Sequence, residues 1–283
     1  MSVEHYENFP VASWLCPPAL RAAVRAIYWF ARTADDIADE GDATSAARLA
    51  MLREYRGDLL LAAAAQPGAG RWRGVFDPLA AIIATHRLPL PLLIALLDAF
   101  EEDTQHAGYA DRAALLRYCT RSANPIGRLL LHLHGIVEPA VLARSDAVCS
   151  ALQLINFWQD LSTDVPRGRV YVPFADAEVH ATSALACALQ PHASASRALV
   201  RDLCEWAREL MLAGAPIAFD VPGRVGWELR LVVHGGLRIL EKIAAMNFAS
   251  FARRPHLHLA DQLLVGTRAL TMRPSSPKQT RTA

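Results

Sequence analysis

The stretch AVRAIYWFARTADDIADEGD, residues 23–42, carries a row of carboxylates on a segment that is otherwise apolar enough to pack as a helix. Each residue of an α-helix advances by about 100°, so residues at offsets of 4, 7 and 11 lie on one face. One such line, the first acidic ridge, contains Tyr28, Arg32, Asp35 and Asp39, with Asp36 at its edge. A solvated surface is the usual explanation for clustered acids. It leaves the tyrosine and the arginine in the same line unexplained.

A second acidic line occurs in ALQLINFWQDLSTDVPRGR, residues 151–169. At helical spacing this second acidic ridge contains Gln153, Asn156, Asp160 and Asp164. Large apolar residues flank it, and a buried carboxylate without a partner loses its hydration, so a cation must meet these aspartates. Carboxylates one helical turn apart suit Mg²⁺, which prefers a few carboxylates, several waters and substrate phosphates. Two such ridges facing each other would hold metal ions and, through them, a diphosphate.

The whole chain has the composition and periodicity of one large helical domain. Of its 283 residues 53% are hydrophobic, no linker divides them, and no period-two strand pattern occurs. We therefore predict an all-α fold with residues 1–268 as the domain and 269–283 as a disordered basic tail. The predicted helices run from Pro17 to about Glu40, then over about 44–65, 77–85, 89–105, 111–135, 139–164, 195–213 and 223–247, with one more near the end.

Charge and cysteine usage exclude several classes of function. The formal net charge is +1, from 29 basic and 28 acidic residues, so no overall field favours nucleic acid. The five cysteines are odd in number and include no C-x-x-C pair, which argues against a zinc site or a disulfide framework. No signal peptide or membrane span is visible. We expect a cytoplasmic protein, with peripheral contact at the inner membrane face left open.

The sequence lacks the motifs of other enzyme classes that use carboxylates. Di-iron bundles need Glu-x-x-His pairs, metalloproteases need H-E-x-x-H, and serine hydrolases need G-x-S-x-G, none of which occurs. A glycosidase would need only one acid on each side. QPGAGRWRG, residues 66–74, follows no strand, so it is interpreted as a loop and not as a nucleotide site.

Taken together, the two acidic ridges make the sequence resemble the squalene and phytoene synthases, which join prenyl diphosphates head to head. Their first motif is similar to Tyr28, Arg32, Asp35, Asp36 and Asp39, and their second to Asn156, Asp160, Asp164, Arg169 and Tyr171. YCTRSANPIGRLLLHLHG, residues 118–135, is similar to their Y-C-x-x-V-A-G-x-V-G helix, with Tyr118, Cys119 and Gly127 in common. The resemblance covers about residues 5–250 in the same order.

The resemblance implies one helical bundle around a deep apolar cavity, with the aspartate motifs on its walls and Mg²⁺ carrying the diphosphate. It implies metal binding by Asp35, Asp36, Asp39, Asn156, Asp160 and Asp164. Substrate contacts are implied for Phe9, Arg32, Gln153, Asn156 and Arg169. Aromatic side chains able to stabilise a carbocation are implied for Tyr28, Tyr118, Phe9 and Tyr171. Arg169 and Tyr171 are expected to close over bound diphosphate.

Within the family, HYENFPVAS (residues 5–13) and the HLHG helix look most like the hydroxysqualene synthase branch of hopanoid biosynthesis. This branch ionises presqualene diphosphate, rearranges the cation and captures water. Gln159 replaces an arginine common in condensing members, which removes one diphosphate-binding charge, and Gly235 and Gly236 replace a tyrosine. Asn124 replaces a glycine. Its amide is expected to hold the water, with core packing or a helix kink with Pro125 as the open alternatives.

Two other functions remain open from the sequence. The first is a condensing squalene or phytoene synthase, which joins two prenyl diphosphates. The second is a non-catalytic family member that carries lipid intermediates, although such a protein needs no paired aspartates. For the preferred function the expected partner is presqualene diphosphate. Peripheral membrane contact and functional coupling to the enzyme that makes presqualene diphosphate are left open.

Overall fold

The computed structural model describes residues 16–68, 70–105 and 107–274, and within these ranges it contains fourteen α-helices and no β-strand. The helices are α1 Arg21–Asp39, α2 Ser45–Ala63, α3 Arg73–His86, α4 Leu90–Asp103, α5 Arg112–Ser122, α6 Asn124–Leu133, α7 Pro139–Gln159, α8 Leu161–Asp164, α9 Phe174–Val179, α10 Ala184–Leu189, α11 Ser194–Gly214, α12 Ile217–Asp220, α13 Gly223–Ala245 and α14 Leu259–Thr271. The all-α prediction is confirmed. In the described ranges no helix is both long and apolar enough to cross a membrane.

Two helices that the sequence predicts as continuous are interrupted. The predicted helix 111–135 breaks at Ala123, because Pro125 lacks an amide hydrogen and cannot continue the hydrogen-bond ladder of α5. The predicted helix 139–164 breaks at Asp160, whose φ of −100° and ψ of 8° end α7. The stretch 165–179, which lies outside every predicted helix, includes α9.

The buried apolar residues form two clusters joined by α6. The N-terminal cluster is built mainly by α1 to α4 and the C-terminal cluster mainly by α5, α7, α11 and α13. Leu129 and Leu133 lie one turn apart on α6 and belong to the N-terminal cluster, whereas Leu131, on the opposite side of the helix, belongs to the C-terminal cluster. Because one helix contributes to both clusters, the chain forms one continuous bundle. The helices of the two acidic ridges, α1 and α7, belong to different clusters.

Helix α7 lies at the centre of the C-terminal cluster, and two glycines allow its neighbours to approach it closely. A Cβ atom on Gly214 of α11 would lie 2.6 Å from the carbonyl oxygen of Arg144. One on Gly127 of α6 would lie 2.5 Å from Ser145 Oγ and 2.6 Å from Cys149 Sγ. Any larger residue would push these helices away from α7. The backbone position of α7, and hence of the second acidic ridge, depends on these close contacts.

Candidate active site

The first acidic ridge points into a cleft between the two clusters. Helix α1 buries Val24, Ile27 and Phe30 against the N-terminal cluster, which turns its opposite side toward the cleft. Arg32, Asp35 and Asp39 line this cleft, which has a volume of ≈ 800 Å³. Asp36, predicted as a metal ligand, is not among the cleft-lining residues, and its Oδ1 lies 2.7 Å from Arg32 Nη2.

The second acidic ridge keeps its spacing although its helix is interrupted. The Asp160 amide donates to the Asn156 carbonyl at 2.9 Å, and the Asp164 amide donates to the Asp160 carbonyl at 2.9 Å. These one-turn hydrogen bonds hold successive ridge residues on one side of the chain across the break. All four predicted residues line the same ≈ 800 Å³ cleft as the first ridge, namely Gln153, Asn156, Asp160 and Asp164. The structure therefore brings both ridges to one chamber.

Arginines from other parts of the chain meet both ridges. Arg169 Nη1 donates to Asp39 Oδ2 at 2.6 Å. Arg254, from the connection between α13 and α14, donates through Nε to Asp160 Oδ1 and through Nη2 to Asp160 Oδ2 at 3.3 Å. The adjacent Gln159 donates from Nε2 to the Pro255 carbonyl at 2.8 Å. Arg254 thus places a guanidinium group beside position 159, next to the backbone carbonyl that Gln159 binds.

The cleft has more carboxylates than cations. Six carboxylates and four guanidinium groups line it. Burial raises the pKa of Asp164 to about 6, and the negative charge of Asp160 adds to this effect. Burial also raises the pKa of Asp39, and the attraction of Arg169 does not fully offset it. Added cations would relieve both effects, because they favour the ionised carboxylates.

Asp103, at the end of α4, is a cleft residue that the sequence analysis missed. Tyr118 donates to its Oδ2 at 2.7 Å, and Tyr171 donates to its Oδ1 at 3.4 Å. Burial raises the pKa of Asp103 to about 7, against the hydrogen bond from Tyr118, and nearby acids including Asp39 raise it further. One signal was present in the sequence: EED, residues 101–103, ends a helix where the dipole disfavours acids.

Aromatic rings form one wall of the cleft. Tyr171 stacks on Phe157 with ring centroids 3.7 Å apart and an interplanar angle of 7°. Tyr118 lies 6.2 Å from each of these rings, and all three residues line the cleft. Tyr28 lies elsewhere, on the wall of a small apolar cavity of ≈ 200 Å³ that shares Arg32, Asp35 and Phe100 with the cleft.

A larger apolar cavity of ≈ 320 Å³ also adjoins the cleft. Its walls come mainly from α6, α7 and α13, and include Leu130, Leu152 and Leu229. Ser122, Gln153 and Asn156 line both this cavity and the cleft. The site therefore combines a charged chamber with two adjoining apolar spaces. That arrangement suits a molecule with a diphosphate head and long hydrocarbon arms.

Asn124, a predicted site residue, is used in helix packing. Asn124 lines none of these three cavities. It is 5% exposed, and its Oδ1 accepts a hydrogen bond from Ser150 Oγ at 2.9 Å, so its amide takes part in helix packing. The expectation that it faces the cavity is wrong, and the open alternative of core packing holds. Phe9 lies outside the described residues.

The donor set fits divalent cations that bind together with a diphosphate. Among the described residues, no group of three or more His, Cys, Asp or Glu side chains could hold a metal ion alone. Mg²⁺ usually keeps several waters and shares substrate phosphates, so one or two carboxylates from each ridge are sufficient. The candidate ligands are Asp35 and Asp39 from α1 and Asp160 and Asp164 from the second ridge.

Comparisons with known proteins show the family of the chain. The model of the squalene/phytoene synthase family matches residues 3–261. A hydroxysqualene synthase of Zymomonas mobilis is 38% identical over 170 residues, which are 59% of this chain and 54% of that protein. One of Rhodopseudomonas palustris is 31% identical over 253 residues, 89% of this chain and 83% of that protein. The crystal structure of a squalene synthase from Alicyclobacillus acidocaldarius superimposes with a TM-score of 0.77 at 32% identity, covering 86% of this chain and 90% of that one.

These matches identify an enzyme of the class that processes prenyl diphosphates, which is generally metal-dependent. The chain belongs to the squalene/phytoene synthase family, as the sequence resemblance predicted. Within that family it groups with relatives named hydroxysqualene synthase, at 31 and 38% identity.

Proposed function

We propose that the protein converts presqualene diphosphate and water to hydroxysqualene and diphosphate, within squalene and hopanoid biosynthesis. The observation that carries this proposal is the junction of an acid-rich cleft of ≈ 800 Å³ with apolar cavities of ≈ 320 and ≈ 200 Å³. A diphosphate head fits the first space, and two prenyl arms fit the other two. The names of the relatives support the same reaction.

The chain contributes to ionisation by stabilising the charge that leaves with the diphosphate. The C–O bond breaks, and its electron pair departs with the diphosphate oxygen. Asp35, Asp39, Asp160 and Asp164 would hold Mg²⁺, which would supply positive charge to stabilise this leaving group. Arg32, Arg169 and Arg254 line the same cleft, and guanidinium groups suit phosphate oxygens.

The remaining cation rearranges beside the aromatic wall of the cleft. The faces of Tyr118, Phe157 and Tyr171 attract positive charge without providing a nucleophile. Apolar residues around the adjoining cavities exclude bulk water, so the cation survives until one water adds to it. The oxygen of that water forms the new C–O bond, and its surplus proton passes to the released diphosphate.

Two incubations test the proposal. Purified protein with Mg²⁺ and presqualene diphosphate, without a nicotinamide cofactor, should give an alcohol detectable by mass spectrometry. With farnesyl diphosphate alone it should give no product, whereas a condensing synthase would consume that substrate. Asp160→Asn should abolish turnover and keep the wild-type melting temperature. Near-normal activity of this variant would contradict the metal assignment.

We also propose that α14 docks the protein on an anionic membrane surface, from which the oily substrate is taken. Leu259, Leu263 and Leu270 lie on one face of α14 and are 72, 68 and 70% exposed. The two charged residues of this helix point away from that face, since Asp261 pairs with Lys242 at 2.6 Å and Arg268 with Glu241 at 2.6 Å.

The sequence after Asp261 has a positive net charge, which favours anionic lipid. From residue 262 to 283 the sequence contains four basic residues and no acidic residue. Apolar side chains inserted at the interface and nearby cations together favour anionic bilayers. Leu257, two residues before α14 begins, lines the cleft. A docked α14 would therefore hold the cleft close to the lipid.

Vesicle sedimentation tests the docking face. Wild-type protein should sediment with vesicles containing phosphatidylglycerol and less with neutral vesicles, and high salt should weaken binding. A triple Leu→Ser variant at 259, 263 and 270 should lose this binding. A matched control with Ser at Leu185 and Leu189, which are 65 and 76% exposed on α10, should keep it. Equal binding by all three proteins would contradict the proposal, and self-association lost only in the triple variant would assign the face to a second copy.

A further inference from the structure

Ser122, the last residue of α5, has a buried hydroxyl group at the meeting point of two cavities. It lines both the ≈ 800 Å³ cleft and the ≈ 320 Å³ apolar cavity. Its Oγ is buried and has no hydrogen-bond partner among the described residues. A buried hydroxyl without a partner is costly, and in native proteins such a group usually binds a water or a ligand. The Ser122 hydroxyl is therefore expected to bind a water or a polar ligand atom at the edge of the apolar cavity.

The surroundings of Ser122 suit one ordered water molecule. A buried water needs two to four polar partners. Gln153 and Asn156, from α7, also line both cavities and provide amide groups at the same junction. Ser122 and Ala123 lie at the carboxyl end of α5, where the helix dipole is negative. A negative dipole there favours both a nearby carbocation and the hydrogen atoms of a water.

We propose that Ser122 positions the water that captures the rearranged cation, and so decides that the product is an alcohol. The inference rests on the proposed function and deepens it. The hydroxyl accepts a hydrogen bond from the water and leaves a lone pair of the water oxygen free to form the C–O bond. The surplus proton passes to diphosphate in the adjoining cleft. The sequence analysis expected Asn124, two positions after Ser122, to hold this water. Its side-chain oxygen instead accepts a hydrogen bond from Ser150.

The proposal predicts that removing the Ser122 hydroxyl changes the product. A cation that meets no positioned water loses a proton from a neighbouring carbon and gives an unoxygenated polyene. Ionisation depends on the acidic ridges and the arginines, so diphosphate release should continue. If Ser122 positions the water, its removal should change the alcohol-to-hydrocarbon ratio at unchanged turnover. If its role is merely structural, its removal should change turnover instead.

The sharpest comparison is Ser122→Val with Ser122→Thr, since valine and threonine have the same shape and differ by a hydroxyl. The family pattern similar to residues 118–127 has valine at this position, so the site is expected to accept valine. With presqualene diphosphate and Mg²⁺, Ser122→Thr should keep an alcohol-to-hydrocarbon ratio within about threefold of wild type. Ser122→Val should lower that ratio at least tenfold, the effect of about one hydrogen bond. Diphosphate release by both should stay within about threefold of wild type.

A control separates a local effect from a change of cavity shape. Ser145 lines the same apolar cavity but not the cleft, so Ser145→Ala should leave the ratio unchanged. Equal ratios for Ser122→Val and Ser122→Thr would overturn the proposal, as would an equal change in Ser145→Ala. If wild-type protein forms no alcohol, the proposed function itself fails. That outcome differs from an alcohol formed equally by every variant, which contradicts only the role of Ser122.

Discussion

Replacing Asp103 by asparagine should remove a pH dependence from the stability of the metal-free protein. The carboxyl group of Asp103 accepts hydrogen bonds from Tyr118 and Tyr171. Burial nevertheless raises its pKa from 3.8 to about 7. In the unfolded chain burial is lost, and the ordinary pKa returns. Between these two pKa values the folded protein therefore binds a proton that the unfolded chain does not bind.

The sign and the magnitude follow from this difference. A group whose pKa is raised by folding stabilises the fold fully below its unfolded pKa, and this stability is lost as the pH rises through the folded pKa. One pKa unit corresponds to about 1.36 kcal/mol, so the whole interval from 3.8 to about 7 is worth about 4 kcal/mol. The part between pH 5 and pH 8 is about 2.5 kcal/mol.

Urea unfolding in EDTA at pH 5 and pH 8 measures this effect. The free energy of unfolding of wild type minus that of Asp103→Asn should fall by about 2.5 kcal/mol from pH 5 to pH 8, or about 4 °C in Tm. Asp77→Asn is the control, because the Asp77 side chain is 62% exposed and its ion pair with Arg73 is on the surface. A change below about 1 kcal/mol for Asp103→Asn, or one of opposite sign, would refute the reasoning.

Three further predictions concern the metal site, the helix packing and the apolar cavity. The affinity for Mg²⁺ with pyrophosphate should rise from pH 5 to pH 7 as Asp164 ionises through its pKa of about 6, and calorimetry of Asp164→Asn should show weaker binding with a flatter pH profile. Gly214→Ala should destabilise the protein by about 1–3 kcal/mol in urea unfolding, because its Cβ would meet the Arg144 carbonyl, whereas Gly57→Ala, with nothing within 4 Å, should stabilise it by about 0.5–1 kcal/mol. Leu229→Trp should occupy part of the ≈ 320 Å³ cavity and raise the KM for presqualene diphosphate at least tenfold, with unchanged pyrophosphate affinity. Equal losses of both would contradict the division of the site.

The two acidic ridges could be predicted from the sequence because helical periodicity is local. Residues four apart share a face whatever the rest of the chain does, and the apolar residues around Asp160 already demanded a cation. The interruption at Asp160 did not spoil this prediction, since one-turn hydrogen bonds continue on both sides of it. The break at Ala123 was less visible, although Pro125 was its signal.

The partners of these ridges could not be predicted, because they come from distant parts of the chain. Arg254 meets Asp160 across 94 residues, and Arg169 meets Asp39 across 130. No spacing rule connects such pairs. For Asn124 the sequence predicted a role in the site that the structure does not support. Its side chain accepts a hydrogen bond from Ser150 and so joins α6 to α7.

By itself the sequence determined that this chain folds as helices with two acidic faces, since side-chain spacing along a helix is fixed by the backbone. Only the tertiary structure decided which groups meet those faces: the arginines that pair with the ridges, Asp103 beneath two tyrosines, and the buried Ser122 hydroxyl between polar and apolar space. Burial and proximity belong to the packed bundle, and it is burial and proximity that set the pKa values, the charge balance and the place where a water can stay.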